Sequence, residues 1–271
     1  MNRTTCLGRT VPVCRLGLAT RGESRLTAAD VRHSIDRGVN FLNWCGRPDG
    51  LSRAVAELGP RRESVVVAVQ LESASAVEAA GEFDGLLAQL GTEYVDVVTY
   101  YYVERVHEWK SIIGPGGAHE QMVRARDAGK VRLLGVTSHQ RHLAALMAQS
   151  GLLDLVMIRY NAAHRGAESD IFPVTDRIGM PVIAYTCLRW GALLKPTHED
   201  PPNLVSPSAP DCYRFVLQSP SIAVAIMAPN NRSELDDNLS LLDRWEPLSS
   251  SENAAIAAHG ERVRRTAGNF P

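Results

Sequence analysis

The sequence predicts an α/β fold, a (β/α)8 TIM barrel with a short N-terminal β-hairpin and a C-terminal helix, and three observations carry the prediction. Strand-like and helix-like segments alternate from end to end, the alternation completes eight units, and 271 residues match the roughly 250 typical of such a barrel. No Pro/Ser/Gly linker or charge block divides the chain, so residues 1–271 read as one domain. The competing architecture is an open doubly wound sheet. Such a sheet usually opens with a Gly-rich phosphate turn after its first strand, whereas here the chain continues Thr20-Arg21-Gly22-Glu23-Ser24.

A turn-rich opening around Leu7-Gly8-Arg9 precedes a first apolar run at Leu16 to Ala19. Thr27-x-x-Asp30 has capping-box spacing and announces a helix, with Leu26, Val31 and Ile35 at helical spacing until Gly38 stops the pattern. A strand follows from about Val39 to Trp44, a helix from about Leu51 to Leu58, and a β-branched strand from Val65 to Leu71. Ser75-x-x-Glu78 caps a helix running to about Leu90, and Val95 to Tyr101 is the fourth strand. Next come helix Ala118 to Ala128, strand Val131 to Thr137, helix Arg141 to Gln149 and strand Leu153 to Ile158. Helix Ile171 to Ile178 leads into strand Pro181 to Tyr185. A Pro-rich loop, Pro196 to Pro210, and a short helix near Tyr213 precede strand Ile222 to Met227 and helix Ser233 to Leu242. The run Glu252 to Arg265, with Ile256 and Val263 among charges, reads as a C-terminal helix packed on the barrel.

Composition narrows the function classes. A formal charge of -1 and a pI near 6.7 give no electrostatic footprint for nucleic acid, and no apolar run approaches the roughly 20 residues of a membrane span. The first twenty residues lack the continuous apolar stretch of a secretory signal, so a cytoplasmic location is expected. Five scattered cysteines, Cys6, Cys14, Cys45, Cys187 and Cys212, show no CxxC spacing and read as free thiols. The expected partner is a small-molecule substrate; composition does not assign an oligomeric state. In a barrel of this kind chemistry sits where strands end and helices begin.

Several segments resemble the aldo-keto reductase family. Leu7-Gly8-Arg9-Thr10 with Leu16-Gly17-Leu18 is similar to its N-terminal hairpin and first strand, and Gly38-Val39-Asn40-Phe41 to its second-strand entry. Leu90-Gly91-Thr92-Glu93-Tyr94-Val95-Asp96, Gly129-Lys130-Val131-Arg132 and Gly135-Val136-Thr137-Ser138 match its fourth and fifth units. Tyr160-Asn161, Val182-Ile183-Ala184-Tyr185 and Glu234-x-x-Asp237-Asn238 match later ones. The resemblance covers nearly the whole chain in order, and it implies a barrel that holds NADP(H), with NAD(H) as the alternative, and reduces carbonyls.

The family's Asp, Tyr, Lys and His are not in place. Where it has Asp-Thr-Ala-x-x-Tyr-Gly, this chain reads Asn43-Trp44-Cys45-Gly46-Arg47-Pro48-Asp49; Gln70 stands for the lysine and Tyr101 for the histidine. The first tyrosine is Tyr94 and the first of only three lysines is Lys110, so no register shift restores the proton relay. Losing a general acid typically forfeits about 10² to 10⁴ in rate. Tyr101 is the candidate substitute donor and Gln70 a partner for its hydroxyl, with Asn43 and Trp44 completing the candidate reacting centre. A glutamine supplies no positive charge to acidify a phenol.

On the cofactor side the resemblance places Thr137 and Ser138 at the carboxamide pair and Tyr185 on the nicotinamide face, with Thr186 and Leu188 following it. Met157 stands for the family's carboxamide-binding Gln. Asn230, Asn231 and Arg232 lead into a helix N-terminus, a phosphate position, where Arg232 is expected to pair with a 2′-phosphate. Glu234, Asp237 and Asn238 belong to the adenine side.

Other features have two readings each. Trp44 and Trp190 suit a pocket wall or plain packing, and Cys45 a nucleophile or a small buried thiol. His139 and His142, three apart, suit a metal pair or a surface pair, and no metal is expected. Three functions follow in order: an oxidoreductase with a non-standard proton donor, a catalytically silent relative kept as a binding or regulatory module, and a barrel turned to lyase or metal-dependent chemistry.

Overall fold

The computed structural model describes residues 1–8, 11–20 and 24–268. Arg9 and Thr10 of the opening motif and Arg21, Gly22 and Glu23 after the first barrel strand lie outside them. An antiparallel hairpin, β1 (Thr4–Leu7) and β2 (Val11–Cys14), comes first. Eight parallel strands then close into a barrel: β3 (Leu16–Thr20), β4 (Phe41–Trp44), β5 (Val66–Leu71), β6 (Val95–Tyr100), β7 (Val131–Ser138), β8 (Leu155–Arg159), β9 (Val182–Tyr185) and β10 (Ile222–Met227). Each pairs with the next, and β10 returns to β3.

The helices are α1 (Ala28–Asp36), α2 (Gly50–Ala56), α3 (Ala76–Leu90), α4 (Val106–Ile113), α5 (Ala118–Asp127), α6 (Arg141–Ala148), α7 (Ala167–Asp170), α8 (Phe172–Ile178), α9 (Ala209–Leu217), α10 (Arg232–Leu239) and α11 (Ser250–Thr266). The Thr27 capping box forms, with Asp30 answering the Thr27 N–H, and the Ser75 hydroxyl accepts from the Glu78 N–H. Two helices were not expected from the sequence. In α4 the signal is present, since Glu108 closes a capping box and Trp109 and Ile112 are buried at i, i+3 spacing. The short α7 has no such pattern.

Strand alternation sorts the core into two layers. Leu18, Leu42, Trp44, Val67, Val69, Val98, Tyr100, Val136, Ile158 and Ala184 pack outward against the helices. Ala19, Phe41, Val66, Ala68, Val97, Leu155, Met157, Ile183, Val224 and Ile226 fill the interior, joined by Leu7, Val11 and Val13 of the hairpin. The interior is therefore a packed core, and chemistry is confined to its open rim. At the start of β6, Asp96 is wholly buried, 2.9 Å from Arg62 and 3.1 Å from Arg132, and accepts the Val67 N–H at 2.9 Å.

Candidate functional site

Six strands bring an inward side chain to the barrel mouth: Asn43, Gln70, Tyr101, Thr137, Arg159 and Tyr185. Three of the four residues expected at the reacting centre are among them. Asn43 is buried, its Nδ2 lies 3.8 Å from Cys45 Sγ, and its Oδ1 has no hydrogen-bond partner among the described residues. Gln70 and Tyr101 are half-buried. Trp44 is not at the mouth, because as the neighbour of Asn43 it turns outward into the helix-facing layer; its indole N–H donates to the Arg47 carbonyl at 2.8 Å. Pocket wall is thus excluded for Trp44, whereas Trp190, 59% exposed, stands just beyond the end of β9.

The Tyr100-Tyr101-Tyr102 run divides by direction. Tyr100 faces outward, with its hydroxyl 2.9 Å from His119 Nδ1. Tyr101 faces the mouth, and its ring centroid lies 4.1 Å from that of Tyr102. Tyr102 in turn stacks on His139 at 4.4 Å and 29°, and His139 meets Tyr185 edge-on at 5.7 Å and 83°. Tyr102 adopts φ 42°, a conformation disfavoured for an aromatic residue. Thr137 holds it there, since its Oγ1 accepts the Tyr102 N–H at 3.0 Å while donating to the Tyr100 carbonyl at 3.1 Å.

Glu104 completes this group. Its Oε1 accepts the His139 backbone N–H at 2.7 Å and lies 3.3 Å from the imidazole Nδ1. Burial lowers the His139 pKa, against the pull of Glu104, and raises those of Tyr101 and Tyr185. For Tyr101 a hydrogen bond from Tyr102 works in the opposite direction. The mouth therefore holds protonated phenols beside a neutral imidazole at neutral pH. His139 precedes α6, so it shares no helical face with His142. Among the described residues no group of three or more His, Cys, Asp or Glu side chains is placed to hold a metal ion.

The residues expected to face a cofactor are unevenly placed. Met157 is 1% exposed and sealed in the interior beside Leu155 and Ile183, which removes it from any ligand contact. The Thr137 hydroxyl is committed both as donor and acceptor. Ser138 Oγ accepts the Gln140 N–H at 3.0 Å and keeps its own proton for donation; the Tyr185 hydroxyl donates to the Ser138 carbonyl at 3.2 Å. Thr186 has φ 53°, and its carbonyl accepts from Asn161 Nδ2 at 2.9 Å. Leu188 packs against the helix-facing core.

At the phosphate position Asn231 caps α10 by accepting the Glu234 N–H at 3.0 Å, and the Asn230 N–H and Nδ2 both donate to Glu234. Arg232 is held by Asp236 at 2.8 Å and Asp30 at 3.2 Å, and these carboxylates raise its pKa. The cation expected for a 2′-phosphate is already balanced. Asp237 is exposed, and Asn238 is buried on the inner side of α10 with Leu235 and Leu239. The frame thus fits a nicotinamide ring, through Tyr185 and Ser138, better than it fits a 2′-phosphate.

Three basic residues lie in the strand-end segments 159–164 and 185–190, where the barrel puts chemistry; of these the sequence singles out only His164, as a third ligand for a metal reading. Arg159 ends β8 on the interior face, in register with Tyr185. Arg189, at φ 48°, is buried and donates to the Gly268 carbonyl at 3.1 Å. His164 Nδ1 lies 3.2 Å from Asn161 Oδ1, and Asn161, with no exposed surface, donates through Nδ2 to Thr186. Its oxygen therefore faces the ring, which puts the His164 proton on Nδ1.

Comparisons with known proteins agree with this architecture. The aldo/keto reductase family model matches residues 17–211. An uncharacterized oxidoreductase of Bacillus subtilis (strain 168), YrpG, is 25% identical over 226 residues, covering 70% of this chain and 67% of that protein. The holo form of the aldo-keto reductase AKR11C1 from Bacillus halodurans superposes with a TM-score of 0.77 at 16% identity, over 96% of each chain. Its apo form gives 0.75 with the same identity and coverage.

Proposed function

The chain belongs to the aldo/keto reductase family, and on that premise we propose that it is an oxidoreductase acting with a nicotinamide dinucleotide on a small carbonyl or alcohol, Tyr101 serving as the proton donor. The observation that carries this is the continuous aromatic contact from Tyr101 through Tyr102 and His139 to Tyr185. It puts the candidate donor and the candidate nicotinamide-facing ring on one mouth.

The cofactor supplies a hydride when bound. Tyr101 contributes the phenolic proton to the substrate oxygen, on which negative charge builds. Tyr102 stabilises the phenolate left behind through its hydrogen bond, without the positive charge a lysine brings, so turnover is slow. Asn43 offers its unpartnered Oδ1 to a substrate hydroxyl. The carboxylates of Asp30 and Asp236 beside Arg232 suit a ribose hydroxyl better than a phosphate, which favours NAD(H) over NADP(H).

Fluorescence titration with NADH and NADPH tests the cofactor, and a carbonyl panel with Tyr101→Phe tests the donor. Binding near micromolar concentration and a loss of about 10² or more in rate are expected; an unchanged rate removes Tyr101. A second reading, a catalytically silent binding protein, is favoured by one observation: the Thr137 proton is committed to the Tyr100 carbonyl and Met157 is sealed, leaving Ser138 as the one hydroxyl donor among the expected carboxamide partners. Failure of both nucleotides to bind would select it.

A further inference from the structure

The hairpin leaves one strand edge open at the end of the barrel opposite the mouth. Asn40 closes the outer edge of β2: its Nδ2 donates to the Pro12 carbonyl at 3.1 Å, and its Oδ1 accepts the Cys14 N–H at 2.7 Å. Pro12 and Cys14 therefore point away from β1, so their register partners Cys6 and Thr4 belong to the pairs of the ladder that exchange no hydrogen bonds. The N–H and C=O groups of Thr4 and Cys6 consequently point out of the hairpin on its other side. Those of Thr5 and Leu7 point into it, as does the Arg3 carbonyl, which accepts the Arg15 N–H at 2.9 Å. An unpaired strand edge of this kind is the template onto which another strand adds.

A cavity of about 530 Å³ runs along that edge. Thr4, Thr5 and Cys6 form one wall; the turns before β9 and β10, with Pro181 and Pro220, form the other. Neither proline has an N–H to give, so a strand in the cavity finds its ladder on the β1 side. Arg15 lies at the Thr4 end and is nine-tenths buried. Its Nη2 donates to the Leu217 and Ile222 carbonyls at 2.8 and 2.7 Å, with longer contacts to the Ser219 and Asn2 carbonyls at 3.4 and 3.5 Å. Among the described residues no carboxylate pairs with it, and burial alone lowers its pKa. The acid in the lining, Asp176, accepts the Ser221 hydroxyl at 2.8 Å on the opposite wall.

We propose that this cavity is a docking groove for the carboxyl-terminal strand of a partner polypeptide, which adds antiparallel to β1 and sets its terminal carboxylate beside Arg15. Charge selects this occupant. A buried guanidinium balanced by carbonyl dipoles alone gains most from an anion, and the main-chain ladder of an added strand supplies the rest of the affinity. Because Arg15 lies at the Thr4 end, a strand that ends there runs opposite to β1. A second copy could pair its own β1 with this edge, but Thr4–Leu7 carries no charge and would leave Arg15 unmet. Asp176 disfavours acidic side chains along the bound strand. The groove lies away from the mouth and does not rest on the redox function.

The probe is the pentapeptide acetyl-Lys-Val-Thr-Val-Thr with a free carboxyl end, titrated calorimetrically into the full chain. Its carboxamide should bind about tenfold or more weakly, the worth of one charge-assisted contact. The free acid should lose about as much on Arg15→Met and less on Arg15→Lys. The comparison of acid with amide uses the unaltered protein, so it decides the matter even if Arg15→Met fails to fold. N-methylation of the peptide amides on one edge should abolish binding, while methylation of the other edge is tolerated. Hydrogen exchange followed by NMR should show the Thr4 and Cys6 amides fast in the free chain and slowed by the peptide, with Thr5 slow throughout. Equal affinity for acid and amide, or no binding at millimolar peptide, overturns the proposal. Thr4 and Cys6 amides that become protected as the concentration of the free chain rises would assign the edge to a second copy and overturn it as well.

Discussion

The guanidinium of Arg232 lies 2.8 Å from the carboxylate of Asp236, and a second acid, Asp30, closes on its other side at 3.2 Å. A 2′-phosphate arriving here meets two negative charges that Arg232 already offsets. The double variant Asp30→Asn, Asp236→Asn should therefore tighten NADPH relative to NADH by about tenfold, the order of one charge-assisted contact. Parallel fluorescence titrations of wild type and variant measure the ratio, and an unmoved ratio would place the adenosine end elsewhere.

Stability should fall in mild acid. His164, His139 and His119 all have folded-state pKa values pulled below the ordinary 6.5, in each case chiefly by burial. The unfolded chain therefore takes up protons first, so the stabilising contribution is complete above pH 6.5 and is lost as pH falls toward the folded value, about 4 for His164. Urea unfolding at about pH 7.5 and about pH 4.5 should show the drop, and His164→Asn should shrink it.

Arg62→Met should be among the most damaging single changes outside the mouth. It removes a nearly buried guanidinium from a wholly buried Asp96, leaving that carboxylate to Arg132, which is half exposed. Breaking a buried pair from one side typically costs about 3–5 kcal/mol. Arg62 also lies 4.2 Å above the Tyr94 ring, so packing is lost with the charge. Denaturant unfolding gives the figure; a loss below about 1 kcal/mol would mean that Arg132 alone holds Asp96.

The barrel was legible because buried parallel strands read as short apolar runs bounded by helix caps, as at Val66–Leu71 before Ser75. Direction at strand ends was harder. Asn43 and Trp44 are adjacent, and only the registered sheet shows that the first points in and the second out. Glu104 was not legible, and of Arg159, His164 and Arg189 only the strand-end position was, not the partners. Their setting comes from the end of β8 and from loops after β6, β8 and β9, and in a chain with 29 basic residues, only three of them lysine, no single arginine stands out. The two acids around Arg232 were hidden for a similar reason, since Asp30 reaches it from the far end of the chain.

Gly260→Ala should couple stability to the mouth. Gly260 sits inside α11, where alanine ordinarily stabilises a helix by about 1 kcal/mol. Here a new Cβ would fall inside the van der Waals surface of the Ala162 carbonyl oxygen and 2.8 Å from Ala162 Cβ. Ala162 follows Asn161 on the loop that carries His164 and is itself buried, so it cannot yield into solvent. Overpacking of this kind costs about 1–3 kcal/mol and outweighs the helix gain. Next to it His259 bonds the Leu193 carbonyl and Asp200, so a displaced α11 disturbs the loop after β9 as well. NADH affinity and unfolding free energy should fall together in this variant; a stabilised protein would show that α11 can ride outward without moving the mouth.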